Sequence, residues 1–204
     1  MSAVELDFEG HKRDFVIKEY QQPQRERDNH FKSAKGSVTR SVTAYEALKL
    51  ADCPTYTTFR VGENGTSLLM NNLNIDGVKA LSVFTTPVEW SNEDGESEVR
   101  LEEINNLEEL VTDSMEVACK AAKGGVELQP DSYFFLTHEE EAGQFHVESF
   151  VGDFEGIDIW IEHFKELEYS NLNDLKNALL EFVDRYVVSE RHTEYRNLVI
   201  EKFT

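Results

Sequence analysis

Residues 106–151 read NLEELVTDSMEVACKAAKGGVELQPDSYFFLTHEEEAGQFHVESFV, and this stretch decides the fold class. In its first half Leu107, Leu110, Val111, Met115, Ala118 and Ala122 recur at helical spacing. Glu108, Glu109, Asp113 and Glu116 occupy the opposite face. Asn106 stands where an N-cap belongs and Gly124-Gly125 where the helix must stop. Acid in the first turns and Lys120 and Lys123 in the last suit the helix dipole. In the second half 126–128, a Pro130-Asp131 turn, 133–137, a turn over 139–143, and 145–151 predict an antiparallel meander. Phe145 and Val147 fall on one face, His146 and Glu148 on the other.

Upstream, DFVIKEY at 14–20 predicts a short strand, and the polar run 21–35 reads as a linker or arm. Residues 1–35 are therefore assigned to an N-terminal strand and polar arm, and 36–204 to an acidic domain. Ser41 or Thr43 is placed to cap a helix that Pro54 ends near Cys53. Tyr56, Phe59 and Val61 approach Asn64-Gly65, read as a two-residue hairpin turn leading to Leu68 and Met70. Residues 78–90 predict one long strand, followed by an acidic loop at 91–97.

Downstream, 157–167 fits both periods and is read as a strand running into a short helix. Asn171 is expected to cap an amphipathic helix through Leu172, Leu175, Ala178, Leu179, Phe182, Val183 and Tyr186. Residues 195–203 then continue it or close a sheet. Hairpin-sized strand spacing without βαβ alternation predicts a single α+β domain. It has a mainly antiparallel sheet, about three helices and an N-terminal arm.

The chain carries 40 Asp and Glu against 20 Lys and Arg, a net charge of −20, and the excess is uneven. Residues 1–40 are nearly neutral, whereas 86–116 hold eleven carboxylates against Arg100 alone, and 138–168 hold ten against Lys165 alone. Charge of this density repels nucleic acid and anionic membranes, so neither is expected to bind the main body. A basic protein surface is the expected partner, because an acidic field speeds encounter with it.

Cys53 and Cys119 form no CxxC pair and read as free thiols of a reducing compartment. Acidic residues at the start and the lack of a long apolar run predict a cytoplasmic protein without a membrane span. The sequence has no GxxxxGK[ST], GxGxxG or GxSxG, and Cys119 within a helix has no feature that would activate it. No catalytic residue is assigned and no cofactor is expected. For metals, the weak candidates are His146 and Glu148, which share a strand face, with Asp153 close behind; no HExxH or EF-hand register supports them.

These observations lead to the expectation of a non-enzymatic acidic binding protein. If its carboxylates lie in rows spaced like duplex phosphates, about 1.7 Å of axis per charge, it would act as a DNA-mimic inhibitor or anti-defence factor. Its partner-binding residues would be Glu93, Asp94, Glu96, Glu98, Glu102, Glu103, Glu108, Glu109, Asp113, Glu139, Glu140 and Glu141. The alternatives are a metal-dependent hydrolase using 145–163, and a homo-oligomeric assembly protein in which the apolar stripe of Leu172 to Tyr186 or the N-terminal arm makes a dimer.

Overall fold

The computed structural model describes residues 2–8, 11–19, 34–55, 58–62, 65–73, 77–83, 99–152, 159–160 and 162–204. Among these residues it is an α+β fold of four helices and two mainly antiparallel sheets. The first sheet has the order β1-β2-β4-β3, built from β1 (Ser2–Phe8), β2 (His11–Glu19), β3 (Thr58–Val61) and β4 (Ser67–Asn71). Helix α1 (Ala34–Leu50) lies between β2 and β3 in the chain and packs on β3. The second sheet has the order β5-β7-β8-β6, from β5 (Val78–Ser82), β6 (Glu103–Ile104), β7 (Tyr133–Glu141) and β8 (Gln144–Val151). Among the described strands, only β6 runs parallel to its neighbour. Helices α2 (Leu107–Lys123), α3 (Phe164–Tyr186) and α4 (Ser189–Lys202) complete the fold.

The period of each segment sets what it buries. Along β7, Tyr133, Phe135 and Thr137 face the core; along β8, Val147, Ser149 and Val151 do. On α3 the stripe Leu175, Ala178, Leu179, Phe182, Val183 and Tyr186 is buried, so it is core and not a free dimer face. Phe182 joins helix to sheet, with its ring centroid 4.4 Å from Phe135 and 5.8 Å from Tyr186. At the α3–α4 junction, Leu101 N–H donates to Tyr186 O at 2.8 Å and Val188 N–H donates to Leu101 O at 3.0 Å. The Tyr186 hydroxyl donates to Ser82 O, and Ile104 N–H donates to the Tyr195 hydroxyl. These bonds leave few buried polar groups unsatisfied around the core edges.

The structure corrects several expected elements. Strand β2 begins before residue 14, and residues 20–33 lie outside the described residues. Ser41 and Thr43 lie inside α1 instead of at its start; Thr43 Oγ1 bonds back to Thr39 O at 2.9 Å. The β3–β4 hairpin is present, but its loop spans 62–66 and closes through Gly65 N–H to Gly62 O, so it is longer than two residues. Strand β5 ends at Ser82, and the rest of the expected long strand and the acidic loop fall within 84–98, outside the described residues. Asn106 occupies the N-cap position without capping: its side chain donates to Val147 O and accepts from Val147 N–H, both at 2.9 Å, as a strand partner would. Helix α3 starts at Phe164, so Asn171 is interior to it, and residues 189–202 form a separate helix after a break at Val187 and Val188. Among the described residues no helix is long and apolar enough to cross a membrane.

Candidate functional site

The connection from α2 to β7 is held from three sides. Gly125 follows α2 with φ +75°, where a Cβ would stand 2.1 Å from Trp160 O, so only glycine fits. Its carbonyl accepts Trp160 N–H at 2.6 Å, and Val126 makes an antiparallel bridge with Ile159. Glu127 comes next, half-buried, and its Oε2 accepts the Trp160 indole Nε1–H at 2.8 Å. Pro130–Ser132 then makes one 3₁₀ turn closed by a reciprocal pair. Ser132 N–H donates to Gln129 O at 2.9 Å, and Gln129 N–H donates to Ser132 Oγ at 3.3 Å.

At the far end of the meander, Gly152 N–H donates to Ser132 O at 2.9 Å. Both flanks of 153–158, a segment outside the described residues, therefore return to the same loop: Gly152 at Ser132 and Ile159 at Val126.

Asn171 supports this loop from inside α3. Its side chain is fully buried; Oδ1 accepts Leu128 N–H at 2.8 Å, and Nδ2 donates to Val126 O at 3.0 Å and Ala118 O at 3.2 Å. The Tyr133 hydroxyl donates to Asn171 O at 3.0 Å, and burial lifts that phenol well above its ordinary range. A buried amide whose hydrogen bonds all go to backbone of one loop and one helix end is a rigid mount. Asp174, one turn further along α3, is pushed above the usual carboxylate range, first by partial burial and then by the charges of Glu127 and Asp131. Beside Glu127 lies a cavity of about 220 Å³, lined by Glu127, Trp160, His163, Glu166, Leu167 and Ser170.

The acidic residues expected to bind a partner are dispersed in role. Glu93, Asp94, Glu96 and Glu98 lie outside the described residues. Glu108 accepts a hydrogen bond from Lys202 Nζ, which holds its carboxyl below the usual range, and Glu103 lies 3.5 Å from Arg191. Glu139 accepts Gly143 N–H, and Glu140 accepts from Asn105. Glu102 and Glu141 are exposed near the tip of the β7–β8 hairpin, where Glu103 N–H donates to Gly143 O. Glu109 and Asp113 stay on the exposed face of α2, along a shallow cleft with Asn105, Asn106 and Thr112.

Of the metal candidates, His146 and Glu148 lie 3.7 Å apart, and Asp153 is outside the described residues. No group of three or more His, Cys, Asp or Glu among the described residues could hold a metal ion. Burial raises both thiols, Cys53 to about 12.

No family model matches the sequence, and no curated protein matches it. The fold does match solved structures. One is the Rio2 kinase–ADP/Mg2+–phosphoaspartate complex from Chaetomium thermophilum, at TM-score 0.53 and 10% identity, covering 96% of this chain and 57% of that one. Another structure of Rio2 kinase from the same organism matches at TM-score 0.52 and 10% identity, covering 96% of this chain and 59% of that one.

The fold is kinase-like. The chain spans under three-fifths of the length of the kinases it matches. This likeness overturns the expectation of a non-enzymatic acidic binding protein, and with it the DNA-mimic, inhibitor and anti-defence roles. That expectation rested on net charge, which bears on solubility and encounter and not on fold. It also counted as free several carboxylates that the fold uses internally, Glu108, Glu139 and Glu140 among them.

The residues whose part in the site was missed from the sequence are Glu127 and Ser132 in the loop, Trp160 beside it, and Asn171, which reads as a helix cap. The available signal was Glu127-Leu128-Gln129-Pro130-Asp131-Ser132, a carboxylate, a proline and a short hydroxyl residue on a helix-to-strand connection.

Proposed function

We propose that this chain is a kinase-like phosphoryl-transfer protein that uses a nucleoside triphosphate, with Glu127 as the base that receives the acceptor's proton. The observation that supports this most is the loop of 127–132. Protein kinases carry H-R-D-L-x-x-x-N on the equivalent connection, the Asp taking the acceptor hydroxyl proton and the Asn holding a metal. Here Glu127-Leu128 and Ser132 stand at the same spacing, between a helix and a hairpin. The hairpin ends at Val151, and after Gly152 the sequence continues Asp153-Phe154, where kinases carry D-F-G. Phe15-Val16-Ile17-Lys18 on β2, before α1, resembles the V-A-I-K strand whose Lys meets the nucleotide phosphates.

The donor set fits one metal–nucleotide better than two. Asp153 and Lys18 match in sequence, but Ser132 is buried, its Oγ accepts Gln129 N–H, and it puts a short hydroxyl where kinases have the amide oxygen of Asn. A bound metal would neutralise charge developing on the transferred phosphate. The chain's own part is to hold Glu127 on a loop fixed by Asn171 and Trp160, within hydrogen-bond reach of an acceptor hydroxyl.

Ser132, together with the lack of a GxGxxG loop, favours a second reading in which the chain binds nucleotide without turnover. Titration with MgATP, followed by thermal shift and calorimetry, tests the shared premise. Binding to the native state alone stabilises by about 2.7 kcal/mol at a hundred times the dissociation constant. Lys18→Met is expected to weaken it; no stabilisation by MgATP would refute both readings. A cytoplasmic location, where ATP is abundant and thiols stay reduced, accords with two unpaired cysteines.

A further inference from the structure

We infer that the cavity beside Glu127 receives a Lys or Arg side chain of a protein acceptor, so that the acceptor hydroxyl is selected by a neighbouring cation. This rests on the proposed phosphoryl-transfer reading and adds the acceptor's chemistry to it. A base must lie within about 2.6–3.2 Å of the proton it takes, so the space adjoining Glu127 is where the acceptor lies.

That space is about 220 Å³, below the roughly 300–1,000 Å³ of sites for drug-sized ligands, which suits one side chain. Its lining combines two carboxylates, Glu127 and Glu166, with an indole and the apolar Leu167. Among the described residues, no Lys or Arg bridges either carboxylate. Within that described set Glu127 receives the Trp160 indole N–H, and Glu166, whose side chain is 75% exposed, faces His163 at 3.9 Å.

Trp160 is 43% exposed and its edge is tied to Glu127, so the ring is fixed in place instead of collapsing into the core. A cation over an indole face, with its methylene stem on an apolar wall, is a recognised stable arrangement. Phe164 and Ile159, next in the chain to the lining residues His163 and Trp160, are also exposed, at 43% and 39%. The charge complementarity is thus local and concave, and does not depend on the net charge of the chain.

The test needs no turnover. The full chain, with 15N label, is titrated with N-acetyl-lysine amide, N-acetyl-arginine amide and the neutral N-acetyl-norleucine amide, while the Trp160 indole N–H resonance is followed. The two cationic probes are expected to shift it saturably and the norleucine probe not to. Glu166→Gln is expected to weaken the cationic probes roughly two- to fivefold, the worth of an ion pair to an exposed carboxylate. Equal response to norleucine, no response to any probe, or unchanged affinity in Glu166→Gln would overturn the inference. Tighter binding of spermidine than of either amino-acid probe would overturn the protein-acceptor assignment and indicate a small-amine acceptor. MgATP binding is measured on the same sample, so failure of the phosphoryl-transfer reading registers separately.

Discussion

Replacing Asn171 by Ala tests the mount that carries the loop. The change leaves Leu128 N–H buried without a partner, at about 1–3 kcal/mol, and removes two amide donations worth about 0.5–1.5 kcal/mol each. Part of this is recovered. The Ala118 carbonyl keeps its helical partner within α2, and Ala exceeds Asn in helix propensity by roughly 0.5 kcal/mol. The expected net loss is about 2–4 kcal/mol, against the roughly 5–15 kcal/mol that ordinary domains hold in reserve, so the variant still folds.

Asn171→Asp separates the hydrogen bonds from the volume. Its carboxylate can still accept from Leu128 N–H but faces the Val126 and Ala118 carbonyls, so the charged form is disfavoured and its pKa in the fold rises. A group raised in the folded state stabilises below its unfolded pKa and loses that contribution as pH increases. Asn171→Asp should therefore approach wild-type stability near pH 4 and fall well below it at pH 7. Urea denaturation at both pH values provides the measurement. A loss under about 1 kcal/mol in Asn171→Ala, or an Asn171→Asp deficit independent of pH, would refute the role given to this amide.

Gly125→Ala places a Cβ against Trp160 O at a positive φ, and is expected to detach Ile159 and Trp160 from the loop before the core unfolds. Hydrogen exchange at Trp160 should accelerate while Phe135 and Phe182 stay protected; unchanged exchange would count against the close approach. Asp174→Asn removes a carboxyl whose ionised form is opposed by burial and by Glu127 and Asp131. Its folded pKa is raised, so its stabilising contribution is present at low pH and lost as pH rises. The variant should therefore melt higher than wild type at pH 7 and no higher at pH 3. Cys53, whose thiol donates to Val117 O and is pushed up to about 12, should resist thiol reagents at pH 8 until urea unfolds the chain.

What was legible in the sequence follows from periodicity. Leu107 to Ala122 and Tyr133 to Val151 carry unambiguous 3.6 and 2 repeats, so α2 and the β7–β8 hairpin, and with them the α+β class, were readable. Asn171 misled because an Asn before an apolar run reads as a cap, whereas its amide is used by Leu128, remote in sequence. The two sheets could not be separated either, since only tertiary pairing shows that β2 joins β4 while β5 joins β7. The site was hidden by abundance. Among 40 carboxylates Glu127 is distinguished only by what meets it in space: Trp160, the Asn171-held backbone and a small cavity.

The central claim concerns Glu127 and phosphoryl transfer, and a single-turnover measurement addresses it directly. The wild-type chain and Glu127→Gln are mixed with γ-labelled MgATP, and ADP and label transferred to protein are followed together. General-base catalysis contributes about 10²–10⁴-fold, so Glu127→Gln should lose at least about a hundredfold in transfer rate with MgATP affinity unchanged. Equal rates in the two proteins, or no ADP formed by the wild type at saturating MgATP, would contradict it.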